Sequence, residues 1–122
     1  MLKSLLLLIL TGAGLAALPA QAACGYPRAP DRLPDGATAT LEQMVEGQKA
    51  VKQFDADITV YTDCLQQEFA AATAGPALDP ERLKELDAMR GKKHNAAVDD
   101  AEAVAARFNE QVRAFKARTK KE

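Results

Sequence analysis

TAGPALDPER, residues 73 to 82, both ends one helix and begins another. Gly75-Pro76 stops the chain from continuing as a helix, because proline brings no amide hydrogen and pushes the residue before it out of the helical region. Asp79-Pro80 restarts it: Asp79 suits the N-cap, and Pro80 suits the first helical position, where a missing amide costs nothing. A connection this short makes the flanking helices antiparallel neighbours. The expectation is an all-α fold built on a helical hairpin.

Upstream, the first helix should run from about Leu41 to Ala72. Met44, Val51, Ile58, Leu65 and Ala72 recur every seven residues. Phe54 and Tyr61 add a second row, and Val45 and Phe69 widen the stripe, giving one apolar face of coiled-coil type. Its start is marked by TATLEQ, where Thr40 and Gln43 have the spacing of a capping box. Downstream, Leu83, Leu86 and Met89 open a second apolar pattern. RGKKHN interrupts it around Gly91, and it resumes with Val98, Ala101, Val104, Ala105, Phe108, Val112 and Phe115. Glycine costs only about 1 kcal/mol relative to alanine inside a helix, so one long helix to about Lys116 is expected, with a three-helix bundle as the alternative.

The charges are segregated in a way that suits a hairpin. Residues 41–72 carry a net −4 and residues 107–122 a net +4, so folding back should bring Arg113 and Lys116 near Glu42 and Glu46. Exposed pairs of this kind contribute under about 1 kcal/mol each and guide pairing more than they stabilise.

Ahead of the hairpin, YPRAPDRLPDG (residues 26–36) is too proline-rich for a helix and favours an extended polyproline II arm, with Pro34-Asp35-Gly36 as a turn. The first 22 residues have the layout of a secretory signal peptide: Lys3, an apolar run from Leu5 to Leu10, then Ala20-Gln21-Ala22 with small residues where signal peptidase needs them. Thr11, Gly12 and Gly14 break the apolar run well short of the roughly 20 residues that span a bilayer. Cleavage is therefore expected before Ala23, giving a periplasmic or secreted protein. A lipid on Cys24 is the alternative, and Gln21 is a poor residue three positions before a lipidated cysteine. The division is thus 1–22 signal peptide, 23–39 arm, 40–118 hairpin and 119–122 basic tail.

An exported chain whose two cysteines are Cys24 and Cys64 can form one disulfide and leave no spare thiol. Lipidation of Cys24 would strand Cys64. The bridge sets a strict condition on the path of the chain, because Cys64 lies roughly 35 Å along the first helix while the arm can reach roughly 50 Å. The arm must turn back and run alongside that helix, laying Tyr26, Pro27, Pro30, Leu33 and Pro34 over the hairpin groove. Such cover is needed. Although 48% of the residues are hydrophobic, many are alanines and none is tryptophan, so two helices alone make a thin core.

From Cys24 through the spaced prolines, PDGATAT, Met44, KAVKQF and Tyr61 to Cys64, the sequence resembles a group of short exported proteobacterial proteins without an assigned function. The resemblance implies export and paired cysteines and no particular activity.

The residues capable of chemistry argue against catalysis. His94 is the single histidine; Asp99, Asp100 and Glu102 are near it in sequence, but Val98 occupies the position one helical turn on. Asp55 and Asp57 are two apart and diverge on a helix. Beyond residue 22 there is no serine, and neither a phosphate loop nor a zinc motif occurs. Two cysteines 40 residues apart lack the close spacing of a redox motif and fall short of a four-ligand metal site. No cofactor is implied. With a net charge of −1 there is no sign of nucleic-acid binding, while RAFKARTKKE suits the negative end of a helix dipole. The expected function is a small non-enzymatic module acting through protein contacts, with an envelope protein or a second copy as partner. The alternatives are a holdase whose groove opens when the arm lifts and a peripheral binder of anionic membrane through the basic C-terminus.

Overall fold

The computed structural model describes residues 23–121, so the signal peptide expected over 1–22, its cleavage site and Glu122 lie outside the described residues. Two antiparallel helices, α1 (Leu41–Thr73) and α2 (Pro80–Thr119), pack along their lengths. Residues 23–40 form the extended arm, which ends in a turn before α1.

The start of α1 follows its local sequence. Gln43 N donates to Thr40 Oγ1 at 3.2 Å and Thr40 N donates to Gln43 Oε1 at 2.8 Å, completing the capping box. Just before it, the turn begins one residue later than Pro34. Asp35 O accepts from Thr38 N and Ala39 N, and Asp35 Oδ1 accepts from Ala37 N at 2.9 Å. At the head of α2, Pro80 takes the first turn as expected, but the Asp79 side chain makes no capping hydrogen bond. Its backbone carbonyl accepts from Leu83 N instead.

The three-helix alternative is overturned, since α2 runs unbroken through Gly91. Good helix formers on both sides outweigh one glycine, and a Cβ built at Gly91 meets nothing within 4 Å. Gly91→Ala should therefore stabilise the protein by up to about 1 kcal/mol, seen as a rise of several degrees in the helical melt; an unchanged or lower midpoint would contradict this.

The core is narrow and lies in two clusters. Phe54, Ile58, Tyr61, Leu65, Ala97 and Val104 form one, with Cys24, Val51 and Ala101 against it. Ala39, Met44 and Phe108 form the other, flanked by Leu33, Val112 and Phe115. The seven-residue rows of α1 mostly face this core, but Val45 and Ala72 are exposed and Phe69 is half-buried. On α2, Leu83 and Met89 stand in solvent. Ala97, absent from the apolar pattern read above, is completely buried. A methyl side chain there fits among the larger side chains of its cluster, and periodicity ranks residues by hydrophobicity rather than by such small-to-large complementarity.

The charge pairing expected between the helices does not occur. Glu46 pairs with Lys49 on its own helix at 2.8 Å, and the ion pairs among the described residues are all local i,i+3 pairs. The reason is solvation. Arg113, Lys116, Glu42 and Glu46 are all exposed, and exposed charges gain little by giving up water to pair.

Candidate functional site

The distinctive feature of the molecule is the arm and the groove it occupies. The Cys24–Cys64 disulfide fixes its first residues, with Cα atoms 5.8 Å apart. Beside the bridge, Cys24 N donates to Glu68 Oε1 at 3.2 Å. The sulfur that a lipid would occupy is therefore committed to Cys64, and the described residues contain no free cysteine.

Two residues on, Tyr26 reaches both helices. Its ring meets that of Tyr61 edge to face, centroids 5.0 Å apart, and its hydroxyl donates to Asp100 Oδ2 on α2. Tyr26 thus lies over the groove, with about half of it (49%) still exposed on the outer side. The Asp100 hydrogen bond, reinforced by desolvation and by the Asp100 and Tyr61 charges, pushes the Tyr26 phenol up to about 12. Only the neutral phenol donates, so this contact is whole below the ordinary tyrosine value of about 10 and is lost as pH rises through the raised one. In a Tyr61→Phe background, which keeps the larger Asp100 contribution, phenolate absorbance should show Tyr26 titrating above the ordinary tyrosine value of about 10, and Asp100→Asn should return it toward that value. Identical curves for the two proteins would refute the contact.

The prolines then follow the groove to two glycines whose role the sequence did not reveal. At Gly47, midway through the first half of α1, the absent side chain leaves a notch: a Cβ there would lie 2.6 Å from the Pro34 ring and 3.0 Å from Phe108. Gly36 presses against the backbone of α2, where a Cβ would be 1.9 Å from the carbonyl oxygen of Gln111. The signal available in the sequence was a glycine inside an apolar helical stripe, which costs stability unless something packs against it.

The arm ends in a polar clasp from α2. Gly36 N donates to Gln111 Oε1 at 2.9 Å, and the Arg118 guanidinium donates to Ala39 O at 2.5 Å and Gly36 O at 3.4 Å. Arg118, read from sequence as part of a basic terminus, is thus a structural residue that ties the end of α2 to the start of α1.

The groove continues past the disulfide, where the arm no longer fills it. Toward the hairpin tip it is an open cleft of about 210 Å³ lined by the apolar Leu65, Phe69, Ala72, Leu86 and Met89 and by the charged Glu68, Arg90 and Lys93. The Arg90 guanidinium lies 5.2 Å from the Phe69 ring centroid and pairs with Asp87. Met89 is 48% exposed and Leu83 42%, so this end of the hairpin presents apolar side chains to solvent.

The other residues singled out from sequence form no reactive constellation. His94 is half-buried on α2, Asp100 is engaged by Tyr26, and Asp57 accepts from Gln53. Among the described residues, no group of three His, Cys, Asp or Glu side chains is placed to hold a metal ion, and no helix is long and apolar enough to cross a membrane. Compared with known proteins, the chain matches no family model, no curated protein and no solved structure.

Proposed function

We propose that this chain is a small exported, non-enzymatic helical module that acts through protein contacts in the periplasm. The observation that carries this reading is the uncovered distal groove. A domain with so narrow a core leaves Phe69, Leu83, Leu86 and Met89 at its tip unshielded or partly shielded, and an apolar cleft of this kind suits a protein surface. Export is supported by the leader pattern of residues 1–22 and by the disulfide, a bond that persists in oxidising compartments. The resemblance to short exported proteobacterial proteins belongs to the same proposal.

Two competing readings lose ground. A holdase that opens by lifting the arm must break a disulfide at one end and the Arg118 clasp at the other. A membrane-binding tail must do without Arg118, which leaves Lys120 and Lys121 as the basic residues beyond α2. The decisive experiment is photo-crosslinking in intact cells with the probe at Met89. Defined protein adducts in the envelope are expected, and their complete absence would overturn the reading.

A further inference from the structure

We propose that the arm is a redox-operated strap: a dithiol reductant opens the Cys24–Cys64 bridge, residues 23–33 lift from the hairpin, and residues 34–40 stay seated. This goes beyond the contact reading above and does not depend on it. The first argument is that the two halves of the arm are held by separate means. The later half is held by packing. Pro34 sits in the notch at Gly47, Gly36 and Ala39 are buried, and Gln111 and Arg118 bond to that turn from α2. By contrast, no residue from Ala23 to Asp35 is buried. Among the described residues, the arm makes no hydrogen bond to either helix from Pro27 to Pro34. The earlier half therefore hangs on the bridge, helped by Cys24 N on Glu68 and the Tyr26 hydroxyl on Asp100. Once the bridge is open, the backbone freedom that this stretch regains outweighs two hydrogen bonds that water can replace.

The second argument is access. Both cysteines are half-buried, and Cys64 lines an open cleft of about 270 Å³ together with Gly25, Pro27 and Val60, while Cys24 packs against the first core cluster. A thiolate of the reductant reaches Cys64 through that cleft. It forms a mixed disulfide with Cys64 Sγ and expels Cys24 as a thiolate, which takes up a proton; the reductant's second thiol then displaces Cys64. Two electrons pass to the bridge, and the reductant leaves as a disulfide. The bridge is a substrate of exchange rather than its catalyst, so the close spacing of a redox motif is not required. Lifting the strap uncovers Tyr61 beneath Tyr26 and the side of the cluster that Cys24 covers. Leu65 belongs to that cluster and also lines the distal cleft, so the two join in one longer apolar groove.

The test is NMR relaxation of the oxidised protein and of the same sample after excess dithiothreitol, at low temperature. Backbone order parameters for residues 24–33 should fall from a rigid value of about 0.85 to below about 0.6, with Gly36, Ala39 and both helices unchanged. Cys24→Ser with Cys64→Ser should show the lifted state without reductant, and reoxidation of the reduced protein should restore the seated one. An arm that stays ordered after reduction overturns the proposal. Release of the whole arm through Ala39, or loss of the helices, overturns it equally. Access has its own readout: the rate of bridge opening in native buffer should rise in proportion to dithiothreitol concentration. A rate that levels off at the rate of global unfolding would defeat the exchange step and the strap with it.

Discussion

Replacing both cysteines, Cys24→Ser with Cys64→Ser, lowers the melting temperature by on the order of 20 °C. In the chain-entropy account, a bridge across a sequence separation of 40 residues removes about 4 kcal/mol of freedom from the unfolded chain. For a domain of this size each kcal/mol moves the midpoint by roughly 4–8 °C. The loss reaches beyond entropy. Without the bridge, the Cys24–Glu68 hydrogen bond and the packing of Cys24 on the Tyr61–Leu65 cluster depend on an untethered chain end. Wild-type protein melted under reducing conditions should behave like the double mutant. A midpoint within a degree or two of the oxidised protein would show that the arm is held without its staple.

The second large effect belongs to the glycines under the arm. Gly36→Ala places a methyl group 1.9 Å from Gln111 O and 2.8 Å from Gln111 C and Phe115 N, all backbone atoms of a helix that cannot yield locally. The arm must lift, and with it goes the clasp of Gln111 and Arg118 on Gly36 and Ala39. Overpacking together with these hydrogen bonds gives a cost of about 3 kcal/mol, or a fall in melting temperature of roughly 15 °C. Gly47→Ala is the more instructive change. Helix propensity alone favours it by about 1 kcal/mol, as at Gly91. The Pro34 ring at 2.6 Å, with Phe108 behind it at 3.0 Å, reverses the sign, and a net loss of about 1 kcal/mol is expected. If thermal melts find Gly47→Ala as stabilising as Gly91→Ala, the notch is not what seats the arm.

These glycines also mark where sequence reading reached its limit. The capping box at Thr40, the break at Gly75-Pro76 and the restart at Pro80 were legible because each depends on residues within four positions of one another. The course of the arm was legible for a different reason: with two cysteines and a helix of known rise, a bridge admits one direction of travel. The unbroken α2 was expected, because one glycine costs a long helix little. The exposure of Met89 and the use of Arg118 were not legible: a methionine in an apolar row and an arginine in a basic tail each have several ordinary outcomes, and the neighbours that choose among them are far away in the chain.

The amino-acid sequence by itself determined two helices, their turn, a proline arm and the pairing of Cys24 with Cys64, because local backbone preferences and a single available thiol partner leave little choice. Only the tertiary structure decided that Pro34 seats at Gly47, that Gly36 lies against Gln111, that Arg118 holds Ala39, and that the groove runs on uncovered to the tip. Those contacts join residues up to 79 positions apart, and their energies exist only once the helices have been brought together.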